Sequence, residues 1–201
     1  MRIAAGFFSL LVLVTGSPAI AEPAEDTAPV KHIGVYVLPY YQSAPTLEGR
    51  PTVAVAKAFD VQLGSNKRED ILAVRDAIEA QPETATPMTL MVLAIRLYDV
   101  GLRDDSVFWF YAAKDRYFTL ADVLNVKSPS LTQVDDAIRN FVTLAGPFIN
   151  SYAFCDVAKE REASLKAITW VEKHPYEALF VQQLPALPGD RAENLKRIAT
   201  R

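Results

Sequence analysis

Between Ser65 and Thr200 the apolar residues recur at helical spacing, and proline and glycine cut that recurrence into segments one helix long. Asn66 with Glu69 three residues later fits a reciprocal N-terminal cap. Ile71, Leu72, Val74, Arg75 and Ile78 follow with helical spacing, and Pro82 ends that segment. Pro87 suits the first turn of the next helix, where its missing N–H is no loss, and Gly101 suits its C-terminus. Asp104 and Asp105 fall in the first turn of a helix running to Tyr117, which suits the helix dipole. Ser130 with Gln133 marks the cap of a long helix through Val134, Ile138, Phe141 and Val142, which Gly146-Pro147 should kink or break. Residues 148–155, 158–173, 176–184 and 191–200 also read as helical. No charge block or low-complexity linker divides this part of the chain, so residues 32–201 are expected to form one helix-rich domain.

The preceding segment reads differently. Ile33 to Leu38 is short, β-branched and aromatic, and Pro39 stops it, which predicts a strand. Residues 42–51 carry Pro45, Gly49 and Pro51 and read as a loop. Thr52 to Leu63 alternates: Val53, Val55, Phe59, Val61 and Leu63 share one face, with Lys57 the exception. Period two predicts a second strand, although the alanines of this stretch also suit a helix. The two runs together suggest a hairpin, whose apolar face must pack on the helices because a lone hairpin is marginal in water. The expected fold class is therefore α+β, mostly α: a multi-helix domain with a short N-terminal β-hairpin and a central pair over residues 87–117.

The first twenty-one residues have the layout of a cleaved export signal. Arg2 supplies positive charge, Ile3 to Val14 is almost wholly apolar, Thr15 to Pro18 break it, and Ala19-Ile20-Ala21 places small residues where a signal peptidase reads. The apolar run is about a dozen residues, short of the roughly 20 that a spanning helix needs. Cleavage between Ala21 and Glu22 leaves a Pro- and Ala-rich leader over 22–31 and a protein expected in the periplasm or secreted, with no transmembrane span. A net charge of −3, from 21 Lys and Arg against 24 Asp and Glu, argues against a nucleic-acid partner. The single cysteine, Cys155, cannot form an intrachain disulfide, and reads as a buried structural thiol because Asp156 beside it disfavours a thiolate.

Residues 93–114, LAIRLYDVGLRDDSVFWFYAAK, resemble one helical hairpin of the tetratricopeptide and Sel1-type repeats. Ala94, Ser106 and Ala113 stand at small positions, Leu97, Tyr98 and Phe110 at large ones, and Gly101 at the turn. Small residues let paired helices approach closely while large ones fill the remaining volume. The resemblance covers about 22 residues, lacks the proline that closes such repeats, and has no second copy near a period of 34. It implies an interaction-module style of packing, and a peptide-binding role only by extension.

Catalytic signatures are missing from the sequence. There is no G-x-S-x-G, and the S-x-x-K spacing beginning at Ser43 ends in Thr46. The two histidines, His32 and His174, belong to no ligand cluster, so no metal site is expected. A Cys155–His174 pair would need an orienting group and an oxyanion hole that the sequence does not announce. Asp104-Asp105 and Asp135-Asp136 are adjacent pairs whose side chains diverge by about 100° on a helix, so neither is expected to act as a paired acid and base. No catalytic residue and no cofactor is assigned.

Aromatic clusters supply the candidate binding residues. Tyr36, Tyr40 and Tyr41 lie on and after the first strand, and Trp109 and Tyr111 belong to the run Phe108-Trp109-Phe110-Tyr111. Four consecutive aromatics face every side of a helix, so the run is either a core helix or partly an interface, where Tyr and Trp are favoured. The expected function is that of an exported, non-enzymatic binding protein whose partner is another protein of the cell envelope, an immunity-type inhibitor being one form. The alternatives are an envelope hydrolase with a site assembled from distant residues, and a structural envelope component.

Overall fold

The computed structural model describes residues 59–189 and 191–199. The signal segment with its Ala21–Glu22 junction, the leader, the strand at Ile33 to Leu38, His32, Tyr36, Tyr40 and Tyr41 lie outside them, as does most of the second strand. Among the described residues the protein is helical, with α1 at Asp60–Leu63, α2 at Arg68–Ala80, α3 at Pro87–Asp99, α4 at Arg103–Val123, α5 at Thr132–Ala153, α6 at Val157–Lys173 and α7 at Arg191–Ala199. Single 3₁₀ turns occupy Pro82–Thr84 and Glu177–Phe180. The end of the expected second strand is a correction: Asp60–Leu63 is a helical turn in which Leu63 is buried and Val61 exposed, so the two do not share a face. Among the described residues no helix is long and apolar enough to cross a membrane.

Helix α3 is the core. Every residue from Pro87 to Asp99 except Arg96 is buried, as expected of a helix apolar all round. The Thr86 hydroxyl caps it by accepting from the Thr89 N–H at 3.0 Å. Gly101, at φ +83°, closes it: Leu102 N–H reaches Leu97 O at 2.8 Å and Gly101 N–H reaches Tyr98 O at 3.1 Å. These two bonds form the Schellman motif, whose left-handed position glycine adopts at low cost. The chain then reverses into α4, and α3 with α4 forms the largest helix–helix interface. Ser106 Oγ donates to Ala94 O at 2.7 Å in the buried interior of that interface, so the two small residues do meet.

Tertiary contacts override several local signals. The Asn66–Glu69 cap does not form: Lys67 is the N-cap, and Asn66 Oδ1 accepts instead from Arg96 at 2.8 Å. Arg96 also reaches Ser65 O and Asp99 at 2.6 Å each, pinning the entry to α2 onto α3. Helix α4 runs past Tyr117 to Val123 because Leu120 and Val123 are buried there. Helix α5 starts without a side-chain cap, and it continues through Pro147 rather than breaking. Pro147 is exposed, so the carbonyl it leaves unpaired one turn earlier can be hydrated. Residues 176–184 form one 3₁₀ turn at Glu177–Phe180 and then a tight turn closed by Leu184 N–H on Val181 O at 3.1 Å, and Arg191 donates to the Val181 and Leu184 carbonyls that a continuing helix would otherwise satisfy.

Two buried charges tie these elements together. Arg116, on α4, is 1% exposed. It donates to Pro82 O and Ala85 O before α3 and to His174 O after α6. Asp135, in the first turn of α5, accepts from Tyr117, Lys127 and Arg139. Burial raises the Asp135 carboxyl, but these three donors outweigh it and bring it from 3.8 down to about 2. The unfolded chain therefore binds the proton more tightly, and the stabilisation is complete above pH 3.8 and lost as pH falls towards 2. Asp135→Asn is expected to cost about 2 kcal/mol at pH 7, with the difference from the native protein shrinking below about pH 4. Urea unfolding of both proteins across that pH range checks this; a penalty independent of pH would refute it.

Candidate functional site

A cleft of about 450 Å³ opens where the first turns of α4, the last turn of α5 and the first half of α6 meet. Its floor is apolar: Val107 and Phe108 from α4, Ala153 from α5 and Ala163 from α6. One wall carries Asp104 and Tyr152, whose hydroxyl donates to Asp104 Oδ1 at 2.8 Å. The other is the α6 face with Lys159, Glu160, Glu162 and Lys166. Asp156 lines it as the N-cap of α6, accepting from the Ala158 and Lys159 N–H groups at 3.1 Å.

Most of the charged rim is engaged within the protein. Arg75 of α2 bridges Asp105 at 3.1 Å and Asp76 at 2.8 Å. Lys166 pairs with Glu162 at 2.7 Å and holds that carboxyl below its usual range. Burial, with Glu160 adding to it, pushes the Tyr111 hydroxyl up to about 12. Asp104 and Asp105 turn to different helices, α5 and α2, as expected from their angular separation on α4. Asp135 is buried and Asp136 exposed, so that pair diverges as well.

Cys155 lies at the cleft edge, and its exposure corrects the expectation of a buried thiol. It stands in the turn after α5, and its Sγ donates back to Ser151 O in the last turn of that helix at 3.2 Å. A Cys155–His174 dyad is excluded by length: the 17 residues of α6 separate them by about 25 Å. His174 instead faces Glu83 at 3.3 Å and packs 5.4 Å from the Trp170 ring. Among the described residues no group of three His, Cys, Asp or Glu could hold a metal ion.

The aromatic run of α4 belongs to the core. Trp109 is 1% exposed, Phe110 is fully buried and Tyr111 is buried, because α3, α5, α6 and α7 all pack on α4. Trp109 and Tyr111 are thereby removed from the partner-facing surface that sequence reasoning assigned them. Phe108 alone of the four reaches the cleft floor. The sequence carried little sign of this site, since its walls come from segments about 50 residues apart.

No protein-family model matches the chain, and no solved structure matches it. An uncharacterised protein of Haemophilus influenzae is 35% identical over 190 residues, which span 94% of this chain and 72% of that protein. At that identity and coverage, the chain belongs to the same family as the H. influenzae protein.

Proposed function

We propose that this is an exported, non-enzymatic binding protein of the cell envelope, and that the cleft between α4, α5 and α6 seats part of a partner protein. The observation that carries the reading is the character of the cleft: an apolar floor under a charged rim whose groups bond mainly to one another. Such a rim orients a ligand better than it activates one, since the Cys155 thiol at its edge bonds a backbone carbonyl rather than a base. The α3–α4 hairpin, joined through Ser106 and Ala94, supports an interaction-module style of architecture. The layout of the first twenty-one residues supports export. An immunity-type inhibitor is the specific form we favour.

The test is expression with the native signal segment and a C-terminal tag, followed by crosslinking in the periplasmic fraction. One stoichiometric protein partner is expected. It should be lost on Ala163→Trp, which fills the cleft floor, provided circular dichroism shows the variant folded. Recovery of the tagged protein alone, together with turnover in a hydrolase panel, would point to an enzyme instead. Failure to reach the periplasm would remove the export reading.

A further inference from the structure

We infer that the occupant of this cleft is a basic segment of the partner, with at least two spaced positive charges flanking an apolar side chain; this rests on the binding reading above. Five carboxylates and two ammonium groups line the cleft, an excess of three negative charges. The whole 201-residue chain, with 24 acidic against 21 basic side chains, is itself only mildly acidic. Arg75 takes up Asp105, which still leaves an excess of two.

The internal bonds do not exhaust the rim. A carboxylate has about four acceptor sites, and the Tyr152 bond to Asp104 and the Lys166 bond to Glu162 use one each. Asp104, Asp156 and Glu162 are all exposed. Asp156 and Glu162 stand about 9 Å apart along α6, with Asp104 on the facing wall. A single amine would meet one of these groups, whereas an extended basic segment can meet several at once. Between the charges the floor offers Val107, Phe108 and Ala163 to an apolar side chain. The helix dipoles add no competing claim for an anion, because Asp104 and Asp105 already occupy the first turn of α4 and Asp156 caps α6.

Cys155 makes the test direct. It is the one cysteine of the chain, exposed and on the cleft edge, so a trifluoromethyl tag there reports occupancy by fluorine NMR. The probes are the capped peptides Lys-Phe-Lys-Phe-Lys and Glu-Phe-Glu-Phe-Glu, and spermine. The basic peptide is expected to shift the signal saturably, with affinity about tenfold weaker when salt rises from about 20 mM to about 300 mM. Asp104→Asn/Glu162→Gln, which keeps the shape and removes two charges, should weaken it by a similar factor.

Equal binding of the acidic peptide, salt-independent binding, or no shift at all would overturn the inference. Spermine binding as tightly as the basic peptide would replace the segment with a small polyamine. A shift that depends on protein concentration alone would replace it with a second copy of this chain. If the basic peptide fails while a periplasmic partner is still lost on Ala163→Trp, the binding reading survives without the basic segment. If the partner is retained in that variant, the cleft reading itself fails.

Discussion

Arg116→Ala is expected to lower the folding free energy by about 3 kcal/mol and the melting temperature by roughly 6–12 °C. Arg116 donates at 2.6 Å to Pro82 O and at 2.7 Å to both Ala85 O and His174 O, and it lies 4.5 Å above the Trp170 ring. Each bond from a charged donor contributes about 1.5–3 kcal/mol, so the three together outweigh most single contacts in a core. Burial opposes them. It lowers the guanidinium from 12.5 to about 10, with Tyr176 and Glu83 offsetting only part of that through space, so holding the charge costs about 3 kcal/mol. The bonds still win, and alanine would leave three carbonyls at a buried junction without their donor. Arg116→Lys is expected to recover little, because one ammonium cannot match the fork that spans two chain segments. Urea unfolding checks this: the midpoint should fall with an unchanged slope, and a loss under 1 kcal/mol would mean that water replaces the guanidinium.

The same residue shows why the sequence disclosed elements more readily than junctions. Pro82, Pro87 and Gly101 act through their own backbones, so the positions of α2, α3 and the α3–α4 turn could be read locally. Caps are competitive: Asn66 had a plausible local partner, yet Arg96, 30 residues away, claims its side chain. Pro147 does not end α5 for a related reason, because the cost of a helix proline depends on whether the freed carbonyl meets water or core. Arg116 gave no signal at all. Its partners are backbone carbonyls 31 to 58 residues away, which carry no residue identity. The cleft is hidden in the same way: Asp104, Tyr152 and Glu162 are ordinary helix-surface residues until three helices bring them to one opening. The hairpin expected before residue 59 lies outside the described residues, except for the turn that proves helical.

Trp109→Ala is expected to cost about 4 kcal/mol. Trp109 is 1% exposed and packs edge to face on Phe108 at 5.0 Å and on Trp170 of α6 at 5.1 Å. Alanine would remove the nearer of the two α4 rings that meet Trp170, leaving Phe108 at 6.3 Å, and close-packed neighbours collapse only partly into such a void. The aromatic geometry adds about 0.5–1.5 kcal/mol per pair beyond the buried area. Trp109→Phe should cost less, about 1–2 kcal/mol, since a ring remains to meet Trp170. A control is Phe118→Ala on the same helix: Phe118 is 54% exposed, and its loss should stay within about 0.5 kcal/mol. Thermal unfolding followed by far-ultraviolet circular dichroism separates the three. The result also decides what Trp109 is for. If Trp109→Ala kept its stability and lost a partner, the aromatic run would be a binding surface; a collapse in stability makes any loss of binding a consequence of unfolding, and leaves the cleft floor at Phe108 as the part of the run a partner can touch.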